Sequence, residues 1–293
     1  MEVGEGKVTE KEKDLQWHPA FFASIQIELA KEAHKLIFEN EHTLSTKPML
    51  IDVVIIKKNS DDKIQKNIGR IFRKYNIIEY KSPTDYLSVD DFYKVYGYTC
   101  FYKSAAKNEN QIPVDELTIT FVCKNYPYKF MEHLQKSRKN TMRKVEKGIY
   151  YIYGDIFPIQ VIVTSRLSKD VNLWLKGLTN DLKKKDIITK LSEEYLEHKR
   201  DELYKSAMAV IIKANRGEFR EVSTMCEAIL EVFKEEHERG LALAREEVRQ
   251  NDIKSTIEVC RDVGVPQEKV LEQLVNHYHM VRDEAETYME KYW

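Results

Sequence analysis

Met49-Leu-Ile-Asp52-Val-Val-Ile-Ile-Lys57-Lys58 and Tyr75-Asn-Ile-Ile-Glu79-Tyr80-Lys81-Ser-Pro83 bracket the stretch that decides the fold. Each is a short apolar run rich in β-branched residues, the composition of a buried strand. Each carries a carboxylate inside that run, Asp52 in the first and Glu79 in the second. Side chains alternate along a strand, so Glu79 and Lys81 share one face and Tyr80 takes the other. An unpaired carboxylate in an apolar run is costly, so both acids call for a partner.

Working outward, His18-Pro19 opens a helical pattern expected from Ala20 to about Phe38, with Phe21, Phe22, Ile25, Leu29, Ala33, Leu36 and Ile37 at helical spacing. Asn40 to Thr46 reads as a short edge strand or turn. Asn59-Ser60-Asp61-Asp62 is a turn cluster. After Pro83, Thr84 or Asp85 is expected to cap a helix running to about Ala106. Val114 to Lys124 alternates as a strand, and a basic helix is expected from about Pro127 to Lys139. Ile149–Tyr153 and Ile159–Thr164, around Gly154-Asp155, read as a strand hairpin. The order describes an α/β domain, a mixed central sheet flanked by helices.

From Lys169 onward the pattern is helical and charged, so the expected division is an α/β domain over residues 17–167 and an all-helical region over 168–293. Within the latter, Ile253, Ile257, Cys260 and Val263 form one stripe and Val270, Leu271, Leu274 and Tyr278 another, with Gly264-Val265-Pro266 between them. The second stripe's helix carries Glu268 and Glu272 against Lys269 and His277, a poor charge set for a major groove. A helical hairpin for packing or self-association, and so a homodimer, is the expectation.

Net charge is −1, so no global field draws the chain onto nucleic acid and any such contact must be local. Two basic clusters qualify. Lys57, Lys58, Lys63, Lys66, Arg70, Arg73 and Lys74 lead into Lys81, and Arg138 and Lys139 belong to a second run between Lys124 and Lys147. Both are candidate phosphate-contacting surfaces. The four cysteines form no Cys-x-x-Cys pair, which argues against a zinc ribbon or a thioredoxin-like motif. No apolar run reaches the roughly 20 residues of a membrane span, and the first residues lack a signal-peptide core, so the chain reads as cytoplasmic.

Hydrolysis of a phosphodiester with one or two divalent cations needs hard oxygen ligands near the scissile phosphate. Asp52 and Glu79 are such ligands on neighbouring strands, and Lys81 is placed to offset charge on the transition state. Asp52 with Glu79-x-Lys81, framed by a helix before and a helix after, resembles the PD-(D/E)xK nuclease superfamily. The runs Leu50–Lys58, Ile68–Pro83 and Phe92–Tyr98 are similar to the branch of recombination-promoting nucleases and transposase-like proteins. The resemblance covers residues 17–167, with a weaker likeness in the helical tail. It implies a restriction-endonuclease-like fold and a DNA endonuclease dependent on Mg²⁺ or Mn²⁺. Carried over, Asp52 and Glu79 become metal ligands and Lys81 the catalytic lysine. Glu28 on the first helix matches a further metal-ligating glutamate of many members. Where members often place a glutamine on the helix after the lysine strand, this chain has Tyr93, Tyr96 and Tyr98. The competing class is a nuclease-like protein that binds DNA or a protein partner without cutting.

Overall fold

The computed structural model describes residues 15–43, 50–106, 108–223 and 227–293. The chain divides into two compact units, residues 1–233 and 234–293.

The first unit is built on a seven-stranded mixed sheet in the order β1-β2-β3-β4-β7-β6-β5. Helix α1 (Trp17–Glu28) and a 3₁₀ segment (Ala30–Lys35) lead into β1 (Leu36–Thr43), β2 (Leu50–Lys58) and β3 (Tyr75–Tyr80). Helix α2 (Val89–Ser104) crosses over to β4 (Leu117–Cys123). Helix α3 (Tyr128–Lys136), β5 (Thr141–Glu146), β6 (Ile149–Tyr153) and β7 (Ile159–Val163) follow. Strands β1–β2 and β2–β3 pair antiparallel, whereas β3–β4 and β4–β7 pair parallel. Central β4 is buried at every residue, as a strand covered on both faces must be.

The first helix is shorter than its apolar stripe suggests. It stops at Glu28, and Leu36-Ile37-Phe38 leave the helix to pair with Lys58, Lys57 and Ile56 of β2. Without that partner the long β2 would present a bare edge, so tertiary pairing overrides the helical period. The later helix starts at Val89 rather than near Asp85, because Ser88 is its N-cap. Strand β5 was not expected; it carries Arg143, Lys144 and Glu146 at a sheet edge, where charge is tolerated. The β6–β7 hairpin matches expectation.

Alternation sends β2 and β3 side chains into two layers. Val54, Ile56, Ile78, Tyr80 and Val122 join one core with α1 residues such as Phe21 and Ile25. Val53, Ile55, Ile77, Ile119 and Phe121 join the other, with Phe92 of α2 and Phe130 of α3. Helices α4 (Leu173–Gly177), α5 (Lys185–Glu197), α6 (Glu202–Ala214) and α7 (Arg216–Ser223) contribute Trp174, Leu191, Met208, Ile211 and Phe219 to the first of these layers. The division between units therefore falls after these helices, later than the boundary at 167/168 drawn from the sequence.

Residues 234–293 hold the rest of α8 (Glu227–Asp262) with α9 (Gln267–Tyr278) and α10 (Arg282–Tyr292). Ile253, Ile257, Val270, Leu274, Ala285 and Met289 form its core. Gly264, at φ +78°, turns the chain where the Val265 amide donates back to the Cys260 carbonyl. Among the described residues, no helix is long and apolar enough to cross a membrane.

Candidate functional site

Parallel pairing brings the C-terminal ends of β3, β4 and β7 to one edge of the sheet. Glu79 sits at that edge, level with Val53 of β2 and Phe121 of β4. The Lys81 amide donates to the Val122 carbonyl, extending the ladder past the end of β3. This locks Glu79 and Lys81 in register, two residues apart on one face.

The Lys81 ammonium lies 3.2 Å from Glu79 Oε1 and 2.7 Å from Asp91 Oδ1. Asp91 comes from the first turn of α2. Its other oxygen accepts from the Ser88 amide at 2.8 Å and hydroxyl at 2.7 Å, while the Asp91 amide donates to Ser88 Oγ. This is a reciprocal capping box, and it aims one carboxylate oxygen at Lys81. The Ser88-x-x-Asp91 pattern was present in the sequence and is the signal by which Asp91 could have been found.

Electrostatics give the three groups different characters. Burial lifts the Glu79 carboxyl above the ordinary glutamate value, against the pull of Lys81 and Lys94. Burial alone would depress Lys81, but the hydrogen bond to Asp91 and the charge of Glu79 outweigh it and raise its pKa. Asp91 also pays desolvation, yet its bonds to Lys81 and Ser88 bring it below the usual aspartate value. Lys81 therefore stays an ammonium through neutral pH, a cation rather than a base. Glu79 is only 2 % exposed, and its Oε2 has no hydrogen-bond partner among the described residues. A buried carboxylate oxygen with nothing to accept is costly and rare.

Asp52 lies on β2, next to the Val53 that pairs with Glu79, but its side chain falls outside the described residues. Among the described residues, no group of three His, Cys, Asp or Glu side chains is arranged to hold a metal ion. Glu28 is not brought to Glu79. It ends α1, in the layer that holds Tyr80, on the face opposite Glu79. There Lys66 Nζ lies 2.6 Å from its Oε2, and the Trp174 and Leu175 amides donate to Oε1 at 2.9 and 3.2 Å. Glu28 is thus the acid that caps α4. We expect Glu28→Ala to lower stability by about 2–6 kcal/mol, measured by urea denaturation, since it leaves the Trp174 and Leu175 amides without their acceptor, while Lys66 keeps the Val171 carbonyl.

Beside Glu28 a cleft of about 1420 Å³ opens, lined also by Glu32, Lys66, Asn67 and Trp174. Its buried acids are spoken for. Glu32 accepts from the Gln65 and Lys66 amides at 2.8 and 2.9 Å. The unpartnered oxygen of Glu79 thus favours the β3 end over this cleft.

The basic clusters are mostly neutralised. Lys57 pairs with Glu39, Lys66 with Glu28, Arg70 with Glu146, Lys74 with Glu116 and Arg138 with Asp155. Lys58 and Arg73 donate to the carbonyls of Asp62 and Asp115. Lys63 and Lys139 are exposed. The loop carrying Lys63 to Lys74 buries Ile64, Ile68 and Phe72 in the Glu28 layer, so most of it serves the face away from Lys81. Of the three α2 tyrosines, Tyr93 bonds His133 and Tyr96 bonds Asp155. What α2 offers Lys81 is Asp91.

No family model, curated protein or solved structure matches the chain.

Proposed function

We propose that the chain is a metal-dependent DNA endonuclease of the PD-(D/E)xK kind, with Glu79 and Lys81 at the centre of its site. The observation that carries this reading is the buried, unpartnered Oε2 of Glu79 beside a fixed ammonium where the parallel strands end. The order α1-β1-β2-β3-α2-β4, with antiparallel pairing up to β3 and parallel pairing from there to β4, supports a restriction-endonuclease-like core.

Glu79 Oε2 would be the oxygen offered to a hard cation, Mg²⁺ or Mn²⁺ by the resemblance, which also assigns Asp52 as the second carboxylate. Such an ion supplies Lewis acidity to phosphodiester hydrolysis. Lys81 faces the developing negative charge on the phosphate and stabilises it. Asp91 positions Lys81 by fixing its rotamer from outside, in the way outer-shell carboxylates hold reactive groups. By the resemblance, the site belongs to recombination or transposition.

A plasmid-nicking assay with Mg²⁺ or Mn²⁺, with Asp52→Ala as control, tests the reading. Glu79→Gln adds a sharper split. Its folded-state pKa is raised, so the carboxyl favours the fold at acid pH, and that contribution is lost as pH rises through the folded-state value. We therefore expect Glu79→Gln to nick no plasmid yet to melt higher than the wild type at pH 8, with the gap closing toward pH 4. A variant that is both inactive and less stable across that range would mark Glu79 as structural.

A binding protein without catalysis is the second reading. The observation favouring it is that Lys81 already has two carboxylate partners. Intact plasmid in the presence of measurable DNA binding would establish it.

A further inference from the structure

Glu79, Phe121, Val161 and Tyr150 occupy one register row across β3, β4, β7 and β6. Three inter-strand spacings separate Glu79 from Tyr150, about 14 Å. At the Tyr150 end, on the same face, the loop after β4 and the turn after β7 bring together Tyr126, Tyr128 and Arg166. The Arg166 guanidinium lies 4.5 Å over the Tyr126 ring, and its Nη1 donates to the Tyr150 hydroxyl at 2.8 Å. The Tyr126 ring meets Tyr128 edge-on at 4.8 Å and Tyr150 at 5.3 Å. Tyr128 is 71 % exposed, and Arg166 is exposed too. Among the described residues, the groups that hold the Arg166 charge are tyrosines rather than a carboxylate. Lys176 adds a second cation, donating to the carbonyl of Ser165.

The contrast with the rest of the surface is chemical. Lys57, Arg70, Lys74 and Arg138 are each matched by an acid, whereas this cation is held by aromatic rings and left electrically open. An exposed ring beside an unmatched guanidinium is the pairing that stacks a base and holds its phosphate. Duplex DNA keeps its bases stacked on each other, so a lone protein ring has nothing to stack on there. An unpaired strand offers its base faces.

We propose that Tyr128 and Arg166 form a docking platform for single-stranded DNA, seating the strand about 14 Å from the Glu79–Lys81 edge. The platform rests on the nuclease reading only for what lies at the other end of the strand. Tyr128 stacks an unpaired base, and Arg166, oriented by Tyr126 and Tyr150, takes the adjoining phosphate.

The test is fluorescence anisotropy of a labelled 20-nucleotide oligo(dT), in EDTA, with a 20-base-pair duplex as comparison. Tyr128→Ala and Arg166→Ala should each weaken oligo(dT) binding by roughly five- to a hundredfold, while Tyr128→Trp retains it and duplex binding moves less. Exposed Tyr128 can be removed without disturbing the core, and an unchanged melting temperature checks this. Wild-type affinity in both alanine variants, or no binding of oligo(dT) by the wild type, overturns the platform. Plasmid nicking by the wild type, scored separately, decides the nuclease reading. Nicking with unchanged oligo(dT) affinity in the variants sinks the platform alone. Binding that depends on Tyr128 without any nicking sinks the nuclease reading alone.

Discussion

On the proposed nuclease reading, Lys81→Met is expected to lower plasmid nicking by about 10²–10³-fold, the loss that follows when one fixed donor to a developing oxyanion is deleted. The chain length is nearly kept, so the packing around the methylenes survives while the charge does not. Two further outcomes separate catalysis from structure. Lys81→Arg should not restore the rate, because a planar guanidinium cannot occupy the point between Glu79 and Asp91 that an ammonium fills. Asp91→Asn should lower the rate less than Lys81→Met, since the lysine remains and only its tether weakens. Initial rates on supercoiled plasmid measure all three. Full activity in Lys81→Met would end the site assignment. Because Lys81 is held as an ammonium, its pKa raised by Asp91 and Glu79 against burial, no neutral-pH inflection in the rate should trace to its loss of a proton.

A chain cut after Ser168 is expected not to fold. The cut falls where the sequence changes character, but the first core extends past it. Trp174, Leu175, Leu191, Ala207, Met208 and Ile211 are each about 1 % exposed or less, and they cover the layer that holds Ile25, Leu29 and Ile78. Burying a single large apolar side chain contributes about 1.5–3 kcal/mol. Losing several exceeds the roughly 5–15 kcal/mol by which a domain is stable. The truncated chain should show no cooperative thermal transition by circular dichroism and should aggregate on size exclusion. A chain ending at Phe233 keeps the whole first unit and should melt cooperatively. Cooperative melting of the shorter chain would show that these helices are an accessory layer.

Local chemistry was enough for much of the fold. The β-branched runs at Asp52 and Glu79 became β2 and β3, and the alternating run at Leu117 became β4, because a strand buried on both faces writes itself as continuous apolar sequence. The helical character from Lys169 onward was legible from the helical period. The first helix was misjudged past Glu28, since Leu36 and Phe38 fit a helical stripe and a strand equally well and only pairing with β2 chose between them. Strand β5 carried too much charge to be read as a strand away from its partner.

The site divides along the same line. Spacing alone placed Glu79 and Lys81 on one face, because the side-chain period of a strand is two whatever surrounds it. Asp91 joins them through a crossover from β3 into α2, and Glu28 is carried to the other face to cap α4 from 144 or more residues away. Neither distance nor face is encoded at the residue itself. The sequence by itself determined which residues could bear chemistry and the strand parity that pairs two of them. Only the tertiary structure decided which carboxylates are satisfied and which keep an unpartnered oxygen, as Glu79 does, because hydrogen-bond partners are assigned when separate elements meet.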